Sequence, residues 1–281
     1  MWKTFASPAE LDRDRFDKEI EKPAARTRYV MHFTPRSGSS WLTDLAMRTK
    51  RLSQPGECFN PNFMPRMTRA LNARNMDEYI AILERRRNTR NVYGFQITHH
   101  QLIKVFGKNA AFAARFPVAD WHSFFLIRED IVAQAVSLHK MVQTDISHAP
   151  QVSADDITER ERAYAYDGAE IKRWLAHILA AEQGSEAFFA ETGARPFRMS
   201  YERNLAVKPH RVVNTMCRHL GIARLKTPPP DSTHSKVGTG QNTDYAARFR
   251  DEYPDVVAET DALRAPTLAR LEEYRPPAQR D

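Results

Sequence analysis

The sequence predicts a single α/β domain with a mostly parallel central sheet flanked by helices, and three observations lead there. Four short segments have strand character, being apolar and rich in β-branched or aromatic residues: Tyr29 to Phe33, Val92 to Thr98, His122 to Ile127 and Phe197 to Tyr201. Helical patterns separate them, so the strands must be joined by crossovers, which favours parallel pairing with helices on both faces. The first strand also runs into a short polar loop, Pro35 to Ser40, which opens a helix marked by Trp41, Leu42, Leu45 and Ala46.

The elements follow in order. Ser7-Pro8-Ala9-Glu10 has the form of a capping box with proline at the first helical position, which predicts a helix from Pro8 to Glu21 that Pro23 stops. Residues 1–26 read as a helical arm and 27–281 as the main domain. Asn75…Glu78 caps a helix over Asn75 to Asn88, with Tyr79, Ile82 and Leu83 on one side. Ile131 to Val142 places Ile131, Val132, Ala135, Leu138 and Val142 at core spacing. Ile171 to Phe189 does the same with Ile171, Trp174, Leu175, Ile178 and Leu179. Gln143 to Arg160 and Thr227 to Thr243 read as irregular, in the manner of lids. Asn60 to Arg74 and Gln143 to Ala165 are the segments expected to shape an acceptor site.

Composition bounds the function classes. No stretch nears the roughly 20 apolar residues of a membrane helix, and the N-terminus has no charged-then-apolar signal pattern. Cys58 and Cys217 fit no metal spacing, and no metal is expected; a reducing cytoplasm is the expected compartment. The net charge of +7 admits a nucleic-acid partner. Its one compact basic cluster, Arg85-Arg86-Arg87 with Arg90, ends a helix that opens with Asp77 and Glu78, and cations complement that end of the dipole. A basic enzyme with a polyanionic small substrate accounts for the charge equally well.

Strand, small-residue loop and helix N-terminus form an arrangement that holds an anion. Backbone N–H groups converge at Pro35-Arg36-Ser37-Gly38-Ser39-Ser40-Trp41, hydroxyls add donors, Arg36 adds charge, and the helix dipole points its positive end inward. The nucleoside-triphosphate pattern G-x-x-x-x-G-K-[ST] is absent, which argues against ATP. Arg128 leaves the third strand at the edge where open α/β sheets collect ligands, and Ser137 follows about two turns into the next helix. The alternative is that Arg128 pairs with Glu129 or Asp130 and Ser137 fills a gap in packing.

Taken together, Thr34-Pro35-Arg36-Ser37-Gly38-Ser39-Ser40-Trp41 and Phe125-Leu126-Ile127-Arg128-Glu129-Asp130 through Ser137-Leu138 resemble the sulfotransferases. The resemblance is to the bacterial carbohydrate family typified by trehalose 2-sulfotransferase. Gln54-Pro55-Gly56-Glu57-Cys58-Phe59 resembles that family's Pro-x-Glu-aromatic loop, Val92 to Gln96 its second strand, and Met199-Ser200-Tyr201-Glu202 to Leu205 its Tyr-Glu-x-x-Leu element. The likeness runs from about Thr27 to Glu252. It implies a P-loop-like sulfotransferase fold, 3'-phosphoadenosine 5'-phosphosulfate as donor, a carbohydrate, glycolipid or other small hydroxylated acceptor, and a homodimer. By the same resemblance Pro35 to Trp41 face the 5'-phosphosulfate and Arg128 with Ser137 the 3'-phosphate. Lys236, in a late glycine-containing loop, matches loosely a loop that closes over the nucleotide.

An attacking alcohol needs a general base, and two candidates stand. The resemblance nominates Glu57; His99-His100, at the end of the second strand, supply the rival, with a pKa suited to the task. This chain departs from the pattern at His99, where an aromatic is usual, and at Gln96, where a lysine is common. Phe59, Gln96, His99 and His100 complete the expected acceptor-side set around Glu57, with Arg36 stabilising the developing charge. Two other classes remain: a P-loop-like phosphotransferase, and a non-catalytic nucleic-acid-binding protein.

Overall fold

The structure is a computed structural model describing residues 4–145, 163–226 and 240–272. Among the described residues the strands are β1 (Thr27–Phe33), β2 (Val92–Ile97), β3 (His122–Ile127) and β4 (Phe197–Ser200). They form one sheet in the order β2-β1-β3-β4, with every pair parallel. The central register sets Val30 against Phe95 on one side and Ser123 on the other. All the carboxyl ends therefore lie along one edge, the edge to which the polar loop, Gln96 and Arg128 belong.

Alternation along the strands sorts side chains to two buried faces. Val30, Tyr93, Phe95, Ile97, Phe125 and Ile127 share one apolar cluster. Helices α4 (Met76–Arg86), α5 (His99–Phe106), α6 (Asn109–Arg115) and α8 (Gly168–Thr192) contribute Tyr79, Leu102, Phe112 and Phe188 to it. Tyr29, Met31, Phe33, Phe124, Leu126 and Met199 face the other way. There they meet Leu42, Leu45 and Ala46 of α2 (Ser39–Arg48) and Val212, Val213 and Met216 of α10 (Pro209–His219). A third cluster joins α7 (Ile131–Thr144) and α8 to α11 (Gly240–Glu252) through Val132, Ala135, Leu175, Ile178 and Phe249. Among the described residues no helix is long and apolar enough to cross a membrane.

Several expectations need correction. The predicted N-terminal helix is broken: Pro8–Glu10 make a single 3-10 turn, and α1 (Arg13–Ile20) starts afresh. Asp12 caps α1 by accepting from the Arg15 N–H, so the stronger cap set the start. This helix packs on α4, with Phe16 buried and Arg13 paired to Glu78 at 2.9 Å. The Asn60 to Arg74 segment contains a helix, α3 (Met64–Ala70), with Pro65 in its first turn. Val142, expected in the core, is 49% exposed, and Trp174 and Leu179 are only partly buried. Most of Gln143 to Arg160 and of Thr227 to Thr243 lies outside the described residues, but Gln143 and Thr144 close α7 and Gly240 to Thr243 open α11.

The basic cluster is occupied within the fold. Arg85 donates to the Ile20 carbonyl at 2.7 Å, Arg86 pairs with Glu19 at 3.2 Å, and Arg87 donates to Gln54 at 3.3 Å. These contacts fit the reading of a helix end.

Candidate active site

The polar loop leaves β1 at Thr34, where Gln134 of α7 holds it, donating to Thr34 Oγ1 at 2.9 Å and to the Pro35 carbonyl at 2.5 Å. Two residues of unusual backbone sign follow, with Ser37 between them. Arg36 has φ 63° and Gly38 φ 81°, both left-handed. For arginine that conformation costs roughly 1–2 kcal/mol, a local cost that the rest of the fold sustains. Alternating handedness turns successive N–H groups to one side and forms a concave anion nest at the start of α2. Gly38 is required for a second reason: a Cβ there would stand 2.6 Å from Cδ2 of Tyr201, whose ring lies against the loop.

The two halves of the anticipated site meet. The Nε–H of Arg36 donates to Ser137 Oγ at 3.2 Å, joining the loop to α7. Arg36 is largely buried, and its pKa is lowered, first by burial and then by the charge of Arg128 nearby. Two guanidiniums held together in a low-dielectric place repel, and an anion between them removes that repulsion. Arg128 stacks 5.0 Å over the Tyr201 ring and lies 3.5 Å from Glu202, not beside Glu129 or Asp130. Its buried Nε has no hydrogen-bond partner among the described residues, and neither has the fully buried Oγ of Ser37. Buried polar groups without partners are uncommon, and the Ser37 hydroxyl is such a group on the anion-shaped loop itself. Ser39, Ser40 and Trp41 form the first turn of α2.

Glu202, at the start of α9 (Tyr201–Leu205), has a positional part that the sequence did not reveal. Its carboxylate accepts from the backbone N–H of Glu129 at 2.8 Å and of Asp130 at 3.4 Å, fixing the turn that carries Arg128. Glu129 in turn accepts from Ser200 and from Arg203, the latter at 3.0 Å.

On the acceptor side, the loop bearing Glu57 is tied to the same edge. Gln96 N–H donates to the Gly56 carbonyl at 3.1 Å, and Thr43 of α2 donates to the Pro55 carbonyl at 3.1 Å. Gln96 itself is buried, with its Oε1 lacking a partner. Both donors to Glu57 reach one oxygen: Asn60 at 2.8 Å and Gln101 at 2.6 Å bond to Oε2. Gln101 is anchored by its other end, since its Oε1 accepts from Thr98 N–H at 3.0 Å in the capping box of α5. Phe59 lies inside the core, fully buried against Tyr79, Phe95, Phe106 and Phe116. It anchors the loop and offers no face to a ligand, contrary to the expectation of an acceptor contact.

His99 is differently placed. Asn109 Nδ2 donates to Glu191 at 2.8 Å, so its Oδ1 is the atom that faces His99 Nε2 at 3.2 Å. That geometry puts the imidazole proton on Nε2 and leaves Nδ1 as the basic nitrogen. Nδ1 abuts the backbone of α8 at Gly184, where an added Cβ would come within 2.1 Å of it. Burial lowers the His99 pKa, opposed by the Asn109 hydrogen bond. His100 bonds the His177 carbonyl at 3.0 Å and stacks on the His177 ring at 4.0 Å. Both histidines are engaged with α8. Lys236 lies outside the described residues.

A family profile described as Stf0 sulphotransferase matches residues 28–252 of the chain. No curated protein matches it. Among solved structures it is similar to one titled "Crystal Structure of Sulfotransferase from Alicyclobacillus acidocaldarius", at 16% identity and a TM-score of 0.37, over 92% of this chain and 93% of that one. At that score the structural likeness carries no weight, whereas the profile covers well over half of the sequence. The chain belongs to the Stf0 sulphotransferase family.

Proposed function

We propose that the protein moves a sulfuryl group from 3'-phosphoadenosine 5'-phosphosulfate to a hydroxyl of a carbohydrate, glycolipid or similar small acceptor. Membership of a sulfotransferase family gives the transferase chemistry; the donor and acceptor are our reading. The observation that carries it is the Arg36–Ser137 bond, which joins the anion nest to the Arg128 motif along one sheet edge. A ligand with more than one anionic group suits these adjoining places, and the donor is such a molecule. The orphaned Ser37 hydroxyl supplies a donor that it would satisfy.

In this reading the nest, Ser37 to Ser40 and Arg36 hold the 5' end, while Arg128 and Ser137 hold the 3'-phosphate. Glu57 takes the acceptor proton. Its Oε2 already accepts two donors, so Oε1 is the oxygen that receives it. The acceptor oxygen bonds to sulfur as the bridging S–O bond breaks, and the electron pair stays on the 5'-phosphate oxygen. Arg36 and the N-terminus of α2 stabilise that growing charge, already aligned before the reaction. No divalent cation is invoked, since sulfuryl transfer presents no pair of phosphates to bridge. Gln96 and His100 remain on the acceptor side in this scheme, and Lys236 is assigned a closing contact over the nucleotide. Cys58 and Cys217, both buried thiols, fit a reducing cytoplasm.

The direct test uses 3'-phosphoadenosine 5'-phosphate as a stable product. At a hundredfold excess over Kd it should stabilise the fold by about 2.7 kcal/mol, a rise in Tm of several degrees. Arg128→Ala should abolish the shift. No shift with the intact protein, or a larger one with ATP and magnesium, would sink the proposal.

A further inference from the structure

The last described helix, α12 (Pro254–Glu272), begins beyond residue 252, where the family profile ends. Yet its Arg264 reaches the floor of the site. The side chain is 1% exposed and forms a two-pronged ion pair with Glu182 of α8, also 1% exposed, through Nε and Nη2 at 3.0 Å each. The remaining donors point to backbone: Nη1 to the Glu129 carbonyl at 2.7 Å and Nη2 to the Arg128 carbonyl at 2.6 Å. Two of the four contacts from this one guanidinium hold two consecutive carbonyls at the end of β3, from which the Arg128 side chain departs, while the other two are held by Glu182.

Other contacts converge on the same turn. Arg203, which pairs with Glu129, also donates to the Leu271 carbonyl of α12. Glu202 holds the N–H side of residues 129 and 130 while Arg264 holds the carbonyl side of residues 128 and 129. The turn is therefore gripped on both sides. Arginine suits this position because its planar fork presents several donors in fixed directions, which a lysine cannot reproduce. A buried ion pair is weak grounds for stability in itself, because desolvation offsets much of the attraction; such a pair is better understood by what it orients.

We infer that Arg264, held by Glu182, is a positioning residue for Arg128, and that it sets the enzyme's preference for a nucleotide bearing a 3'-phosphate. This inference rests on the donor assignment above and extends it to a helix outside the matched family region. Arg264 touches no ligand. It acts by fixing the peptide from which Arg128 projects.

The test compares two probes by calorimetry: 3'-phosphoadenosine 5'-phosphate, and adenosine 5'-phosphate, which lacks the 3'-phosphate. Their affinity ratio reports the contacts to the 3'-phosphate, assigned above to Arg128 and Ser137. In Arg264→Met the ratio should fall by about tenfold or more, the loss of one charge-assisted contact, while affinity for adenosine 5'-phosphate stays close to wild type. Because that variant strands Glu182 without a partner, the double variant Arg264→Met/Glu182→Met provides a neutral core of similar volume and should show the same fall. Arg264→Lys should recover only part of the ratio.

A purely structural role would weaken both nucleotides together or lower Tm with the ratio intact; either result overturns the inference. In the unmutated protein, 3'-phosphoadenosine 5'-phosphate should slow amide exchange in α12 more than adenosine 5'-phosphate does, since coupling between sites is reciprocal. Equal protection by the two would count against it even if no variant folds. A wild type that does not distinguish the probes would instead refute the donor assignment itself.

Discussion

His32 offers a sharp test of the buried architecture. It lies on β1, 1% exposed, with its ring against Phe112, Phe188 and Phe189, and neither ring nitrogen has a hydrogen-bond partner among the described residues. Burial pushes its pKa down to about 3, helped by the nearby charge of His99. The unfolded chain keeps an ordinary value near 6.5, so it takes up the proton first as pH falls. Stability from this residue is therefore fully present above about pH 6.5 and drains away towards the folded value. Between pH 7 and pH 5 the cost comes to about 2 kcal/mol, from a slope of about 1.4 kcal/mol per pH unit below the unfolded pKa.

The perturbation is His32→Leu, which fills similar space and removes both orphaned nitrogens. Urea midpoints at pH 7 and pH 5 for the two proteins give the answer as a difference of differences, in which every other titrating group cancels. The variant should be as stable as the parent or more so at pH 7, since unpaired buried nitrogens are lost. It should lose about 2 kcal/mol less on acidification. An equal loss in both proteins would show that His32 is not held neutral by burial, and would refute the packing described around β1.

Three further outcomes follow from the site. Glu57→Gln should lower turnover by roughly 10²–10⁴ while affinity for 3'-phosphoadenosine 5'-phosphate is retained, and His99→Ala should keep most of its activity; the reverse pattern in steady-state rates would hand the base to His99. Phe59→Ala should cost about 3–5 kcal/mol in chemical denaturation, as for a core ring, with little change in acceptor KM at temperatures where it is folded. Gly38→Ala should weaken nucleotide binding beyond tenfold, because the new methyl must displace Tyr201 and the φ of 81° is strained, and calorimetry would reveal it.

Much of this was legible in the sequence. The strands stood out because a parallel sheet covered on both faces needs continuous apolar runs, and His122 to Ile127 was matched residue for residue. Elements that rest on short or mixed patterns were not visible: α3 has only seven residues, and α12 carries Pro266 in its interior. In the site, Arg36, Arg128 and Ser137 could be anticipated because local motifs present them at a strand end or helix start. Gln101, Glu202 and Arg264 could not, since each acts through a contact 44 to 136 residues away in sequence. A buried arginine reads like any surface arginine until its partners are known. For His99 the residue type suits a base, whereas the closeness of its Nδ1 to the α8 backbone at Gly184 could not be read from the sequence.

The grip of Arg264 on the end of β3 also sets an order in time. Its carbonyl partner Arg128 precedes it by 136 residues, so at typical synthesis rates the end of β3 emerges roughly 7–27 s before the helix that steadies it, and the anion nest earlier still. Until β4 follows, the nascent chain carries two neighbouring cationic side chains on an incomplete sheet. Newly made protein should acquire nucleotide selectivity as a late event, after most of its secondary structure has formed.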